Sequence, residues 1–216
     1  MGNNWWDDGG LAKPLPESDK PKGSGPWRFY LKADQSKRIV FIDDNCCRFR
    51  EHNLKIGGKW GNFFTCIGTE GEQACPLCKS GDTPYLAGAF TVVDLSGYEK
   101  DGERKGKNRK YLFVAKYYTL EVLQKQFAKR NGLVGAVYEV TRTSANNAPS
   151  VGNVWDYEEK MDITGLPDTE IYKYQEVFKP RSMEEMCRAS GTSESSAEVK
   201  TEKSSSGANE DMVEYD

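Results

Sequence analysis

Apolar positions in this chain fall mostly into short runs of period two, the pattern of strands with one buried face. Trp27–Ala33 and Arg38–Asp43 alternate and are aromatic or β-branched, with Asp34-Gln35-Ser36 between them, which predicts a hairpin. Cys47–His52 extends the same pattern, Gly57-Gly58 marks a turn, and Trp60–Cys66 is a further strand. Ala89–Leu95 and Lys110–Tyr118 carry the strongest strand signals. The period then changes. Over Thr119–Asn131, with Thr119 as cap, Leu120, Val122, Leu123 and Phe127 form a helical stripe; Lys129 and Arg130 lie in the last turn and Gly132 ends it. Val134–Thr143 and Asn153–Tyr157 return to strand, around a turn at Asn146-Asn147-Ala148-Pro149. Pro167-Asp168-Thr169-Glu170 opens a second helix to about Phe178, and a helical turn from Ser182 leads into Ser/Glu/Lys low complexity. There are no internal repeats. Many short strands with one helix inserted late predict a mainly β (α+β) fold, a small closed barrel whose element order matches a five-stranded OB-fold.

Composition divides the chain into three. Mean hydropathy of -0.73 and 37% hydrophobic residues are low for 216 residues and point to disordered parts. Residues 1–26 read as a flexible N-terminal arm, 27–181 as the folded core and 182–216 as a disordered acidic C-terminal tail. By residue count these parts carry net charges of about -1, +4 and -6 from the printed sequence. The whole-chain pI near 5.5 thus hides a mildly basic core. No apolar run approaches the roughly 20 residues that span a bilayer. The first residues, Met1 to Asp8, lack the basic and apolar regions of a secretion signal. A reducing compartment follows, in which the six Cys serve metal ligation rather than disulfides.

Cys75-Pro76-Leu77-Cys78, with Gly81 behind it, is a knuckle able to grip one side of a tetrahedral ion. Cys66 supplies a third thiolate, and the single histidine, His52, is the economical fourth ligand, with Cys46 and Cys47 as the alternatives in a Cys₄ site. Either set predicts one structural Zn²⁺ with no open position for water, in a subdomain at about residues 46–88.

Basic and aromatic residues interleave in Trp27–Lys32, Arg48-Phe49-Arg50, Lys59–Phe64 and Arg109–Tyr118, and a basic loop runs from Lys100 to Lys110. Cations that follow phosphates and rings that stack on bases hold single-stranded nucleic acid without reading its sequence. The candidate contacts are Lys59, Trp60, Phe63, Arg104, Lys105, Lys107, Arg109, Lys110, Tyr111, Phe113, Lys116 and Tyr117. Alternation requires half of such rings to point inward; Trp60, Tyr111, Phe113 and Tyr117 are expected outside, the first beside a Gly-Gly turn and the others beside the basic loop. At the end of the tail, Met212, Val213 and Tyr215 interleave with Glu210, Asp211, Glu214 and Asp216, a short acidic amphipathic peptide suited to a basic groove on a partner or to the protein's own basic cleft.

Taken together, Glu51–Cys66, the Cys75–Cys78 knuckle, the basic-aromatic strands and the acidic tail resemble the phage single-stranded DNA-binding (helix-destabilising) proteins of the gene-32 type. The resemblance covers residues 27–180 in architecture and 51–81 in motif. It implies an OB-fold with a zinc subdomain, ligated by His52, Cys66, Cys75 and Cys78. It implies self-association along coated single strands, roles in DNA replication, recombination and repair, and a tail that recruits other replication and recombination proteins in the cytoplasm of an infected bacterium. One departure is the arm: the family's is basic, whereas residues 1–26 are slightly acidic and begin with Trp5-Trp6.

An alternative is a zinc-knuckle transcription or assembly factor that acts through protein contacts. Enzyme chemistry is disfavoured. A zinc deaminase needs His-x-Glu ahead of Pro-Cys-x-x-Cys, and His52 is followed by Asn53-Leu54. One histidine also leaves little room for a Ser/His or Cys/His nucleophile.

Overall fold

The computed structural model describes residues 25–68, 75–100 and 103–191 together with the backbone of 6–7; side chains at 6–7, 98–100 and 103–104 are outside the description. The expected arm therefore lies almost wholly outside the described residues, as do Glu210–Asp216 at the tail's end.

The described chain forms, in order, β1 (Trp6–Asp7), β2 (Gln35–Phe41), β3 (Cys46–Ile56), β4 (Lys59–Thr65), α1 (Pro76–Lys79) and β5 (Tyr85–Asp94). There follow β6 (Tyr98–Lys100), β7 (Glu103–Lys105), β8 (Arg109–Lys116), α2 (Tyr117–Arg130), β9 (Ala136–Arg142), β10 (Val154–Lys160), α3 (Tyr174–Val177) and α4 (Met183–Ser190). Eight strands join in one sheet, all pairs antiparallel except β1 with β3. β6 and β7 form a separate small hairpin.

β5 is the strand the others share. Its N-terminal half pairs with β3 (Cys47↔Ala89, Glu51↔Tyr85) and its C-terminal end with β2 (Phe41↔Val92, Ile39↔Asp94). β8 runs along it from Ala87↔Lys116 to Asp94↔Arg109. Beyond β2 lie β9 and β10. The ladder does not close between β8 and β10, so the closed five-stranded barrel expected from the pattern is corrected to an open, mainly β sheet. Segment 27–31 lies in the gap. On one side Phe29 N donates to Leu112 O at 2.8 Å and Leu112 N to Trp27 O at 2.9 Å; on the other Leu31 N donates to Ser150 O at 2.8 Å. The expected hairpin of Trp27–Ala33 with Arg38–Asp43 is corrected too. Asp34 turns the chain at φ 58°, and β2 takes β5 and β9 as partners instead.

Inside this wrap lies the main core, which includes Phe29, Leu31, Phe41, Phe90, Phe113 and Tyr138. Each such side chain contributes about 1.5–3 kcal/mol by leaving water. α2 closes one side with Leu120 and Leu123 buried and Phe127 partly so; it starts two residues before the expected Thr119, which is buried, and ends at Asn131 in the left-handed region (φ 54°). Gly88 permits this closure: a Cβ there would collide with the Cys46 sulfur and sit 2.6 Å from Leu120 Cδ2.

The outer face of the sheet carries a second cluster of Phe49, Ala87, Ala89 and Leu112, covered by residues 168–178. The sequence pattern predicts a helix there, but only Tyr174–Val177 turns helical. The rest stays extended because its side chains are anchored one after another across the sheet. Lys110 Nζ bonds Asp168 at 2.7 Å and Glu170 O at 2.8 Å, Tyr172 N donates to Thr91 Oγ1 at 3.1 Å, and Phe178 stacks on Phe49 at 3.8 Å. This strap ends in α4, capped by a reciprocal Ser182–Glu185 box, with Met186 buried against the Cys-rich loop. The expected tail boundary at 182 thus falls just before a docked helix. No helix among the described residues is long and apolar enough to cross a membrane.

Candidate metal centre and nucleic-acid interface

The β3–β4 hairpin turns at Gly57-Gly58, both at positive φ (59° and 78°), as a two-residue turn between paired Ile56 and Lys59 requires. Its register sets His52 opposite Phe64, and Cys66 N continues the ladder to Arg50 O at 2.8 Å. His52 and Cys66 therefore lie on adjacent strands at the same end. α1 delivers the other pair: Pro76 starts the turn, and Lys79 N closes on Cys75 O at 3.0 Å.

The four donor atoms of His52, Cys66, Cys75 and Cys78 all lie within 4.8 Å of one another, so these residues can hold one metal ion. Cys66 Sγ and Cys78 Sγ are 3.6 Å apart, and His52 Nε2 is 3.6 Å from both Cys75 Sγ and Cys78 Sγ. A tetrahedral ion with bonds of about 2.3 Å to sulfur and about 2.0–2.1 Å to nitrogen needs edges of about 3.8 and about 3.6 Å, so the set fits. Of the alternatives for the fourth position, Cys46 is buried in the main core and Cys47 packs under the strap; neither belongs to the cluster.

The surroundings match a ligand set. Gly81, at φ 94°, folds the chain back so that Asp82 Oδ2 reaches His52 Nδ1 at 2.5 Å. That carboxylate places the imidazole proton on Nδ1 and leaves the Nε2 lone pair toward the thiols. Burial raises the Cys66 thiol, and burial with the neighbouring thiols pushes Cys78 up to about 12. For Cys75 burial acts the same way, but backbone N–H groups of Cys78, Ile67 and Leu77 outweigh it and the thiol ends lowered. Three crowded thiols resist joint ionisation, and a bound cation removes that resistance. Phe64, Leu77 and Met186 seal the cluster, while Cys78 faces outward.

The candidate nucleic-acid residues separate into two groups toward opposite ends of the ten-residue β5. At the metal end are Lys59, Trp60, Phe63, Lys116 and Tyr117. Trp60 is 66% exposed and Tyr117 is also exposed. Phe63 lies under Arg28 at 3.8 Å, Arg28 is bound to buried Glu51, and Lys116 covers Tyr85 at 3.9 Å. At the other end, the β6–β7 hairpin brings exposed Lys105 and Lys107 beside Arg109 and Tyr111. Arg104 lies in β7 with its side chain outside the description. Arg109 stacks on Trp27 at 3.8 Å, and half-buried Tyr111 meets Phe29 edge-on at 6.1 Å.

Two expectations need correction. Phe113 is not exposed. β8 is covered on both faces, Phe113 and Ala115 turning to the main core and Leu112 and Val114 to the strap, so its alternation has no solvent side at that level. Lys110 is held by Asp168, with a side chain only 15% exposed. Sequence reasoning also missed Asp82, for which the available signal was that a metal-bound imidazole needs an acceptor for its second nitrogen. It missed Tyr30 and Arg142 as well, joined by an Arg142 Nη1 bond to Tyr30 OH at 3.2 Å.

No protein-family model matches this chain, and no curated protein matches it.

Proposed function

We propose that this protein binds single-stranded nucleic acid independently of sequence, as a non-enzymatic coat built on its open β sheet and clamped by one structural Zn²⁺. The observation that carries the reading is the open side of the sheet, where Trp27 stands exposed against Arg109 at the end of the basic loop and Tyr30 stands exposed beside Arg142. Rings that stack on any base and cations that follow phosphates are what such binding requires. Three thiolates and one imidazole suit Zn²⁺, which organises the loop without an open position for chemistry. The wider role that fits is protection of DNA single strands in phage replication, recombination and repair within the host cytoplasm, with residues 210–216 recruiting other replication proteins and neighbouring copies associating along the strand. The test is a titration of Trp fluorescence with oligo-dT and with duplex DNA at two salt concentrations, with metal content read by native mass spectrometry. Salt-sensitive quenching by oligo-dT, weaker binding of duplex and one zinc per chain are expected. Equal affinity for duplex, or none for oligo-dT, would defeat the reading in favour of a protein-docking zinc module.

A further inference from the structure

The two ends of β5 offer unequal sites. At the metal end three cations are engaged within the fold, Arg28 with Glu51, Lys116 on Tyr85 and Arg181 on Phe64 at 4.6 Å, and Lys59 is exposed on the hairpin. Trp60 stands on a hairpin with no cation against its ring among the described residues. At the opposite end Arg109 and Arg142 have no carboxylate partner among the described residues. Each backs an exposed ring: Arg109 Cζ lies 3.8 Å from the centre of Trp27, which is 63% exposed, and Arg142 Cζ lies 5.6 Å from that of Tyr30, which is 57% exposed.

Both rings project from segment 27–31, which is fixed by its bonds to β8 and to Ser150. Phe29 and Leu31 turn inward and Tyr30 outward, while Trp27, on the same parity as Phe29, is exposed because it stands at the start of the segment beyond the core. Three residues of extended chain separate their Cα atoms by up to about 10 Å. A strand rising about 3.4 Å per nucleotide covers that in about three steps. Half-buried Tyr111 continues the rim on β8, and Lys37, whose ammonium lies 5.7 Å from that ring centre, is held by buried Asp94. A guanidinium behind a ring fixes its plane before a base arrives, which lowers the ordering cost of stacking.

We infer that Trp27 and Tyr30 are the two stacking stations that first seat a single strand, with Arg109 and Arg142 holding the rings and neutralising adjacent phosphates, and that Trp60 lies outside this primary site. The inference rests on the proposed function and names its contact surface.

The test uses the full zinc-loaded chain and fluorescein-labelled oligo-dT, read by anisotropy. Trp27→Ala and Tyr30→Ala should each weaken binding by about fivefold to about 150-fold, the range for loss of one base–aromatic stack. Trp27→Phe should retain most affinity. Arg109→Gln should lower the slope of log K against log salt by about one. Trp60→Ala should bind as the unaltered chain does. Rim variants that bind normally, or a larger loss in Trp60→Ala, would overturn the inference while leaving the proposed function standing. An unaltered chain that ignores oligo-dT would defeat the proposed function itself.

Discussion

The two ends of β5 are built from the same residue types and put them to opposite use. At the metal end, Arg28, Lys116 and Arg181 lie over Phe63, Tyr85 and Phe64, and four candidate ligands sit in a small apolar cluster with Phe64, Leu77 and Met186. At the rim, the sheet alone provides rigidity, and Trp27 and Tyr30 remain outside with cations behind them. Interleaved basic and aromatic residues therefore do not define an interface by themselves. What decides is whether register brings a carboxylate or a covering segment to the same place. Glu51 does so for Arg28 at one end; at the other, Asp168 of the strap takes Lys110 and Asp94 takes Lys37, while Arg109 and Arg142 have no carboxylate partner among the described residues.

The largest effect that would separate the ends is metal removal. Ligation in small zinc modules is worth about 10–16 kcal/mol, so chelation or Cys75→Ser should release the 52–82 loop and α4 together. Hydrogen exchange should then show lost protection there and at 183–190, with β9 and α2 still protected. Uniform loss across the chain would show that the ends are one cooperative unit. Phe178→Ala comes next. It removes the ring stacked on Phe49 and should cost about 3–5 kcal/mol in denaturant unfolding, with oligo-dT binding at the rim unchanged. A loss of binding larger than the loss of folded protein would tie the strap to the interface.

The third effect is in pH. Asp43 is buried beneath the strap, where it accepts from Thr91 N at 3.0 Å and from Tyr174 OH. Burial, only partly offset by those bonds, pushes its carboxyl up to about 7. The folded pKa exceeds the unfolded one, so the folded state holds the proton more tightly. Its stability should therefore fall as pH rises from about 4 to about 7, by at most about 1.4 kcal/mol per pH unit, and level off above. Asp43→Asn should flatten that slope, as unfolding titrations across the window would read. The smallest effect is that of Asp82→Asn: metal affinity should drop about 10- to 100-fold, measured by competition with a chromophoric chelator, with little change at the rim.

Much of the sheet was legible because period-two runs survive in β3, β4, β5, β8, β9 and β10, and α2 because its stripe is helical. The ligand set was legible for a different reason: Cys-Pro-x-Cys is a local turn whose geometry follows from its own residues. What escaped was long-range. Nothing in Trp27–Ala33 says that it fills a gap beside β8 rather than pairing with β2. Nothing local in 167–178 says that Asp168, Tyr172 and Phe178 each find an anchor across the sheet, which outweighs helix propensity. Phe113 was misread because one-sided exposure was assumed for a strand covered on both faces. His52 was separable from Cys46 and Cys47 only through register, which puts Cys46 beside Gly88 and His52 beside Cys66.

The strap also gives the protein a history in time. A chain synthesised from its N-terminus has made β2 through β10, and all four ligands, before residues 168–190 exist. Until those residues emerge, Phe49, Ala87, Ala89 and Leu112 form an uncovered apolar face on an otherwise complete sheet, a surface for chaperones or for a neighbouring nascent chain. Completion comes as one late fastening, with Phe178 closing on Phe49 and Met186 closing on the loop that carries the candidate ligands.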